Sequence, residues 1–247
     1  MPNISESTCN KKVFPIKIGD GPENRYSLVL YEDREKYKTL VNILQHNREL
    51  RETQCVYSEE LPYVGIKFYN KKWNEVGSKV LVLYSEPMGS GGFVSYEVLG
   101  KEDGEIKKIL SQENVYQGTI RFKDGNLIQG MGNQFKVWKK ENGEFVLKPY
   151  RIQPYPDANV VRYSIVDENT VEVDKTELSV PVGSVIQFIR EDFNDVTDRL
   201  LFSNDSNCLN YLQYATFKIT CKSKTTVTII PSGYNWEGAK EVVIEAK

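Results

Sequence analysis

The segment FVSYEVLGKEDGEIKKILSQENVYQGTIRFKDGNLIQGMGNQFKVWKKENGEFVLKPY, residues 93–150, is a series of short runs rich in Tyr, Val, Ile and Phe, broken by polar turn residues. Phe93–Leu99 alternates Phe93, Ser95 and Glu97 with Val94, Tyr96 and Val98, the two-residue period of a strand. Ile106–Leu110, Tyr116–Phe122, Leu127–Met131, Phe135–Lys139 and Phe145–Tyr150 continue the pattern. Asp103-Gly104, Asp124-Gly125 and Asn142-Gly143 stand between runs. These dipeptides accept positive φ at low cost and close tight hairpins. Their spacing of about 20 residues fits two short strands per hairpin, as a meander requires. Tyr63–Tyr69 and Lys79–Tyr84 extend it upstream, so 61–150 reads as one antiparallel sheet. A propeller-like repeat array is the rival, although nothing repeats in the residues beyond the turns.

Upstream, Asp33–Leu50 carries Tyr37, Leu40, Val41 and Leu44 at i, i+3, i+4 and i+7, with Asp33 in the place of an N-cap. The spacing predicts a helix packed on the sheet. Residues 1–24, with Pro15, Gly19, Gly21 and Pro22, read as an extended arm or irregular first strand anchored by Val13, Phe14, Ile16 and Ile18. Downstream, the proline-rich stretch Pro149–Pro156 marks a domain boundary near Pro154. About eight short strand patterns follow it, a density that matches a β-sandwich. The expected fold is therefore mainly β with one helix. An arm over 1–24 leads into a helix-plus-antiparallel-sheet domain over 25–153, followed by a β-sandwich over 154–247.

Bulk composition bounds the function. The 247-residue chain is 40% hydrophobic and 27% charged, enough apolar surface to fill a core. Lys and Arg total 32 against 34 Asp and Glu, a net charge of −2, so no global positive field exists to hold a phosphate backbone, and general nucleic-acid binding is disfavoured. No apolar run reaches the roughly 20 residues of a membrane helix. The first residues lack the charged and apolar regions of a secretory leader, so the chain is either cytoplasmic, if Met1 is the native start, or exported with a leader removed. Abundant Tyr, Asn, Ser and Thr lean toward export. Cys9, Cys55, Cys208 and Cys221 show no zinc or redox spacing. Four cysteines allow three pairings, and free buried thiols are the alternative; in an oxidising compartment, Cys208–Cys221 and Cys9–Cys55 are the pairings that place one disulfide in each half.

The runs Val180-Pro181-Val182-Gly183-Ser184-Val185-Ile186, Ala215-Thr216-Phe217-Lys218, Lys224-Thr225-Thr226-Val227-Thr228-Ile229-Ile230-Pro231 and Val242-Val243-Ile244-Glu245-Ala246 resemble the Ig-like modules that end many bacterial surface and secreted proteins. The resemblance covers about a third of the chain. It implies a sandwich in a cell-surface setting and carries no functional residues across. The long Arg190–Tyr214 segment departs from simple modules.

The single histidine, His46, has no sequence neighbours that report a nucleophile–base–orienter set, and reads as a surface residue. Glu86–Gly92 is the most glycine-dense stretch, but it leads into a strand rather than a helix, so it reads as a hairpin loop. Its Met88 and Gly91 are the residues there that would approach a ligand. Asp192, Asp195 and Asp198 offer oxygen ligands of the kind calcium takes, without the EF-hand order. A solvated loop is the plainer reading of that acidic run, and no other cofactor is expected. Glu59, Glu60, Glu97, Glu102 and Glu105 would serve sugar hydrolysis only if two of them lay about 5–10 Å apart in the fold. Tyr234, Trp236 and Trp73 lie between strand patterns, where aromatics either plug a core edge or form a binding surface. Strand-and-turn patterning without catalytic groupings points to a non-enzymatic module that binds a protein or a cell-surface glycan. A hydrolase whose carboxylates converge only in the fold, and a structural spacer, are the alternatives.

Overall fold

The structure, a computed structural model, describes residues 10–21, 25–47, 51–85, 92–203, 207–213, 215–232 and 234–247. These residues are nearly all β. The chain forms two compact units, one of Met1–Gln129 with Val137–Lys148, the other of Gly130–Lys136 with Pro149–Lys247.

The first unit is built from consecutive four-stranded antiparallel meanders. β1 (Asn10–Lys17), β2 (Arg25–Asp33), β3 (Lys38–Asn47) and β4 (Glu52–Leu61) form the first sheet in chain order. β5 (Lys67–Lys72), β6 (Lys79–Tyr84), β7 (Val94–Glu102) and β8 (Glu105–Val115) form the second. β9 (Gly118–Lys123), β10 (Asn126–Met131), β11 (Gln134–Glu141) and β12 (Glu144–Pro149) form the third, whose β10–β11 turn is counted with the second unit. The single sheet expected over 61–150 is thus two. Repetition exists in the strands and turns without any repeat in the residues.

The three hairpin dipeptides behave as expected. Asp103 and Gly104 (φ 51° and 86°), Asp124 and Gly125 (51° and 73°), and Asn142 and Gly143 (51° and 92°) all adopt positive φ between paired strands, the requirement of a two-residue type I′ connection.

The expected helix over Asp33–Leu50 is replaced by the β2–β3 hairpin, paired from Tyr26↔Gln45 to Asp33↔Lys38. Thr39, Val41 and Ile43, at alternate positions, are all fully buried, so the apolar set satisfies a period of two as well as 3.6. β-branched side chains at those positions favour the strand. Asp33 does accept a backbone bond, from Lys36 N at 3.0 Å, but this closes a turn rather than starting a helix. Asn10–Lys17 of the expected arm is the edge strand of the first sheet, where Pro15 needs no ladder donor. Ile16 and Ile18 are buried, whereas Val13 is exposed.

Two cores lie on opposite faces of the second sheet. One gathers Leu28, Leu30, Val41 and Ile43 of the first sheet with Leu81, Leu83 and Leu99. The other gathers Val80, Val82, Tyr96 and Val98 with Ile120, Leu127 and Trp138.

In the second unit, β13 (Asn159–Asp167), β14 (Thr170–Val173), β16 (Val185–Arg190), β18 (Leu209–Gln213) and β19 (Thr216–Ile219) form a sheet in the order β14-β13-β16-β19-β18. β15 (Glu177–Val180), β17 (Asp198–Phe202), β20 (Ser223–Pro231) and β21 (Lys240–Ala246) form another in the order β15-β21-β20-β17. One core, including Tyr163, Ile186, Phe188, Val227, Ile229 and Ile244, draws from both sheets.

A direct check uses Tyr37, which has φ 57° in the β2–β3 turn. Tyr37→Gly relieves a left-handed conformation and is expected to raise stability by about 1 kcal/mol in chemical denaturation. In a helix the same change would cost about 1 kcal/mol, so a loss would tell against the hairpin.

Candidate functional site

In the second unit, the loop between β20 and β21 presents two aromatic rings. Tyr234 and Trp236 are 65% and 63% exposed. Asn235 between them points the other way, its Nδ2 donating to Glu168 O at 3.0 Å and to Asn169 Oδ1, while its Oδ1 accepts from Glu237 N at 3.1 Å. Gly238 is packed so closely that a Cβ there would collide with the Asn169 carbonyl. Asn235 N and Ala239 N also donate within the loop, to Pro231 O at 3.2 Å and Trp236 O at 3.3 Å. The backbone is thus pinned to the β13–β14 turn by Asn235 and Gly238, and the rings on either side of Asn235 are held out. A fixed pair of aromatics offers large contact area at low ordering cost.

The other expected aromatic, Trp73, is no surface residue. It is fully buried and stacks on Phe145 with centroids 4.8 Å apart, because the turn after β5 folds into the core below the third sheet. Met88 and Gly91 lie outside the described residues, as does Cys9 of the expected Cys9–Cys55 pair. Cys55 is an exposed free thiol that donates to Tyr57 O at 3.2 Å. Cys208 and Cys221 are joined in a disulfide with Cα atoms 5.1 Å apart.

The acidic run is held by protein cations. Arg190, almost wholly buried, donates from Nη1 to Asp198 at 3.0 Å, from Nη2 to Asp192 at 2.6 Å and to Asn194 at 2.9 Å. Asp198 also accepts from Tyr163 OH at 2.6 Å and Asn133 Nδ2 at 2.9 Å, and Asp192 from Ile165 N at 2.6 Å. Asp195 pairs with Lys136 at 2.8 Å, which holds its carboxyl below the usual range. Burial, then the charge of Asp198, pushes the Tyr163 phenol well up. No group of three or more His, Cys, Asp or Glu suited to a metal occurs among the described residues. The sequence could not announce this network, since its hub is one arginine among ordinary strand residues.

In the first unit the fold brings together Glu59 and Glu97 of the five glutamates weighed above. Lys108 Nζ donates to Glu59 Oε1 at 2.5 Å and to Glu97 Oε1 at 2.7 Å, and Tyr57 OH donates to Glu59 Oε2. Glu60 instead pairs with Lys38. Burial pushes the Glu97 carboxyl up, with the neighbouring Glu59 charge adding to it against Lys108. Burial opposes ionisation of Glu59 too, but Lys108 and Tyr57 prevail and hold it below its ordinary value. Glu97 Oε2 is buried without a hydrogen-bond partner. Tyr57 and Lys108 are not legible as site residues in the sequence, because only the packing of β4 against β8 of the second sheet brings them together.

His46 lies on β3, not on a helix. It is exposed, with Nε2 2.8 Å from Ser27 Oγ and Nδ1 3.0 Å from Thr53 Oγ1. A hydroxyl in the third position carries no charge to stabilise an imidazolium, which removes the electrostatic part of a triad. A cleft of about 420 Å³ is lined by Tyr26, Gln45, Gln54, Cys55 and Glu105, and among the described residues that line it Glu105 is the one acid. No helix of the described residues is long and apolar enough to cross a membrane. No protein-family model matches the sequence, and no curated protein is significantly similar to it.

Asp198→Ala takes from Arg190 the fully buried one of its two counter-ions, leaving Asp192, and is expected to cost about 3 kcal/mol, while millimolar calcium or chelator leaves the melting temperature of the parent protein unchanged. A carboxyl whose folded pKa is raised contributes most at low pH and loses that contribution as pH rises through the folded value. Glu97→Gln removes this loss, so stability relative to the parent is expected to climb between about pH 4 and 7. Lys108→Met leaves two facing carboxylates and is expected to cost about 1–3 kcal/mol at pH 7, with partial recovery toward pH 4. Flat pH profiles for both variants would show that the pair is not coupled.

Proposed function

We propose that this protein is a non-catalytic binding module, exported to a bacterial cell surface or beyond, whose second unit is an Ig-like β-sandwich and whose contact with a protein or cell-surface glycan is made by Tyr234 and Trp236. The observation that carries the reading is the pinned loop with both rings exposed above 60%. Among the described residues these are the two most exposed large aromatics, and an aromatic pair outside the core on a preorganised backbone is the composition of an interaction hot spot.

The Ig-like reading draws support from connectivity. From β16 to β21, membership runs first sheet, second, first, first, second, second, giving β16-β19-β18 in one sheet and β17-β20-β21 in the other. That partition is the one by which strands B, E, D and C, F, G divide in Ig domains. The departures come earlier, where β13 runs parallel to β16 and β15 runs parallel to β21. The Cys208–Cys221 disulfide supports an oxidising compartment.

A second reading, a hydrolase working through Glu59 and Glu97, has in its favour two carboxyls on one ammonium with opposite pKa displacements. Against it, Lys108 occupies the position between them where a scissile bond would have to sit.

Trp73 and Trp138 are buried, so Trp236 alone supplies the accessible indole emission. Incubation with isolated bacterial cell-wall sacculi, and separately with intact cells stripped of wall glycan, is expected to blue-shift that emission in one of the two preparations. Trp236→Ala and Tyr234→Ala are expected to weaken the binding roughly 10- to 30-fold each, at unchanged melting temperature. Parent-level binding by the double variant, or none by the parent to either preparation, overturns the assignment. Glycan cleavage abolished by Glu59→Gln would instead establish the hydrolase.

A further inference from the structure

Every open sheet has two edges where unpaired backbone groups invite another strand, and proteins blunt such edges with charges, prolines or cover. The five sheets give ten edge strands: β1, β4, β5, β8, β9, β12, β14, β15, β17 and β18. Nine carry at least one charged residue, from the lysines of β1 and β5 to Glu172 of β14, Glu177 of β15 and Asp198 of β17. β1 and β12 also contain Pro15 and Pro149. Among these edge strands, only β18, Leu209-Asn210-Tyr211-Leu212-Gln213, has neither charge nor proline.

The hydrogen-bond phase of this edge can be read. Thr220 N donates to Cys208 O at 2.8 Å, and Ile219 N donates away from β18, to Ser184 O at 2.9 Å. Backbone groups of Cys208 and Asn210 therefore face β19, while those of Leu209 and Tyr211 point outward. Tyr211 is 56% exposed although it packs edge-on against Phe217, which borders the core. The disulfide from Cys208 to Cys221 anchors the strand immediately before its first residue, lowering the ordering cost of any partner.

We propose that β18 is a self-association edge, pairing antiparallel with β18 of a second copy about a two-fold axis through Asn210. In that register, Leu209 of one copy and Tyr211 of the other exchange both backbone bonds on each side of the axis. The two Asn210 residues form the non-hydrogen-bonded pair at the centre, where side chains come closest. Leu209 of the second copy then lies beside the Tyr211 ring, an aliphatic–aromatic cross-strand pair that covers the exposed ring and lengthens the core. No like charges oppose the pairing, and a two-fold contact satisfies both copies with the same patch. The register shift between Tyr211 and Gln213 interrupts the regular ladder after Tyr211 and limits the pairing to this short centre. So small a contact lies below the standard of about 800 Å² per partner, which makes the dimer a weak, concentration-dependent one.

Sedimentation of the full chain from about 1 µM to about 1 mM tests this, since weak contacts dissociate within that range. The parent is expected to pass from monomer to dimer, and Asn210→Lys, which sets two ammonium groups opposite each other, to weaken association at least tenfold without changing the melting temperature. Amide exchange at Leu209 and Tyr211 is expected to slow at the concentrated end, a readout that unfolding or a contact elsewhere would not produce. A parent that stays monomeric throughout, a dimer that Asn210→Lys leaves intact, or unchanged exchange at those two amides overturns the proposal.

Discussion

Burial of the β5–β8 sheet on both faces is the constraint on which the first unit depends. Successive residues of β6 enter different cores: Val80 and Val82 on one side, Leu81 and Leu83 on the other, all fully buried. At roughly 1.5–3 kcal/mol for each such side chain, this one strand contributes on the order of the whole net stability of a domain. Neither outer sheet could be lost without exposing half of that. The order of the meanders along the chain follows, because a sheet with two apolar faces must sit between two others.

Two-sided burial also decides what polar residues in the inner strands can do. Glu97, on the face of β7 opposite Val94, Tyr96 and Val98, meets a core and not water, and its charge must be answered by Lys108. One ammonium serving two carboxylates leaves Glu97 Oε2 without a partner. In the second unit, the planar guanidinium of Arg190 has donors enough to engage Asp192, Asn194 and Asp198 at once, and neighbouring hydroxyl, amide and backbone groups complete their shells. The first cluster can therefore respond to a proton, whereas the second is a fixed joint that shapes the loop from β16 to β17.

The turns were the most legible part of the sequence, because Asp-Gly and Asn-Gly name a backbone conformation directly and depend little on surroundings. The hairpin at Asp33–Lys38 was not legible. Leu40, Val41, Ile43 and Leu44 fit both periods, and Asp33 bonds a backbone N–H three residues on in a turn as it would at a helix start. Length and cap signals thus pointed one way while the β-branched Thr39, Val41 and Ile43 pointed the other, and tertiary burial of those three prevailed. Glu97 could be put on a strand face but not in a core, since alternation shows which residues share a side and not what covers it. The available clue was the unbroken apolar run Val80–Leu83, which signals cover on both faces. Of the aromatics between strands, Trp73 and Trp236 look alike in sequence; they differ because Trp73 meets the ring of Phe145, twice as far along the chain.

That contrast separates buried aromatics from exposed ones. Trp138 donates to Tyr96 OH at 2.6 Å, Tyr96 donates to Gln129, and Tyr163 donates to Asp198, so each of these rings is tied into a core by its polar tip as well as its area. In the β20–β21 loop the structural work falls to Asn235 and Gly238, an amide that reaches two acceptors and a residue with no side chain to obstruct the approach. Aromatic side chains contribute to folding mainly through the surface they remove from water, and Tyr234 and Trp236 remove little. Their exposure on a backbone that Asn235 and Gly238 hold is what the proposed contact with an outside partner rests on.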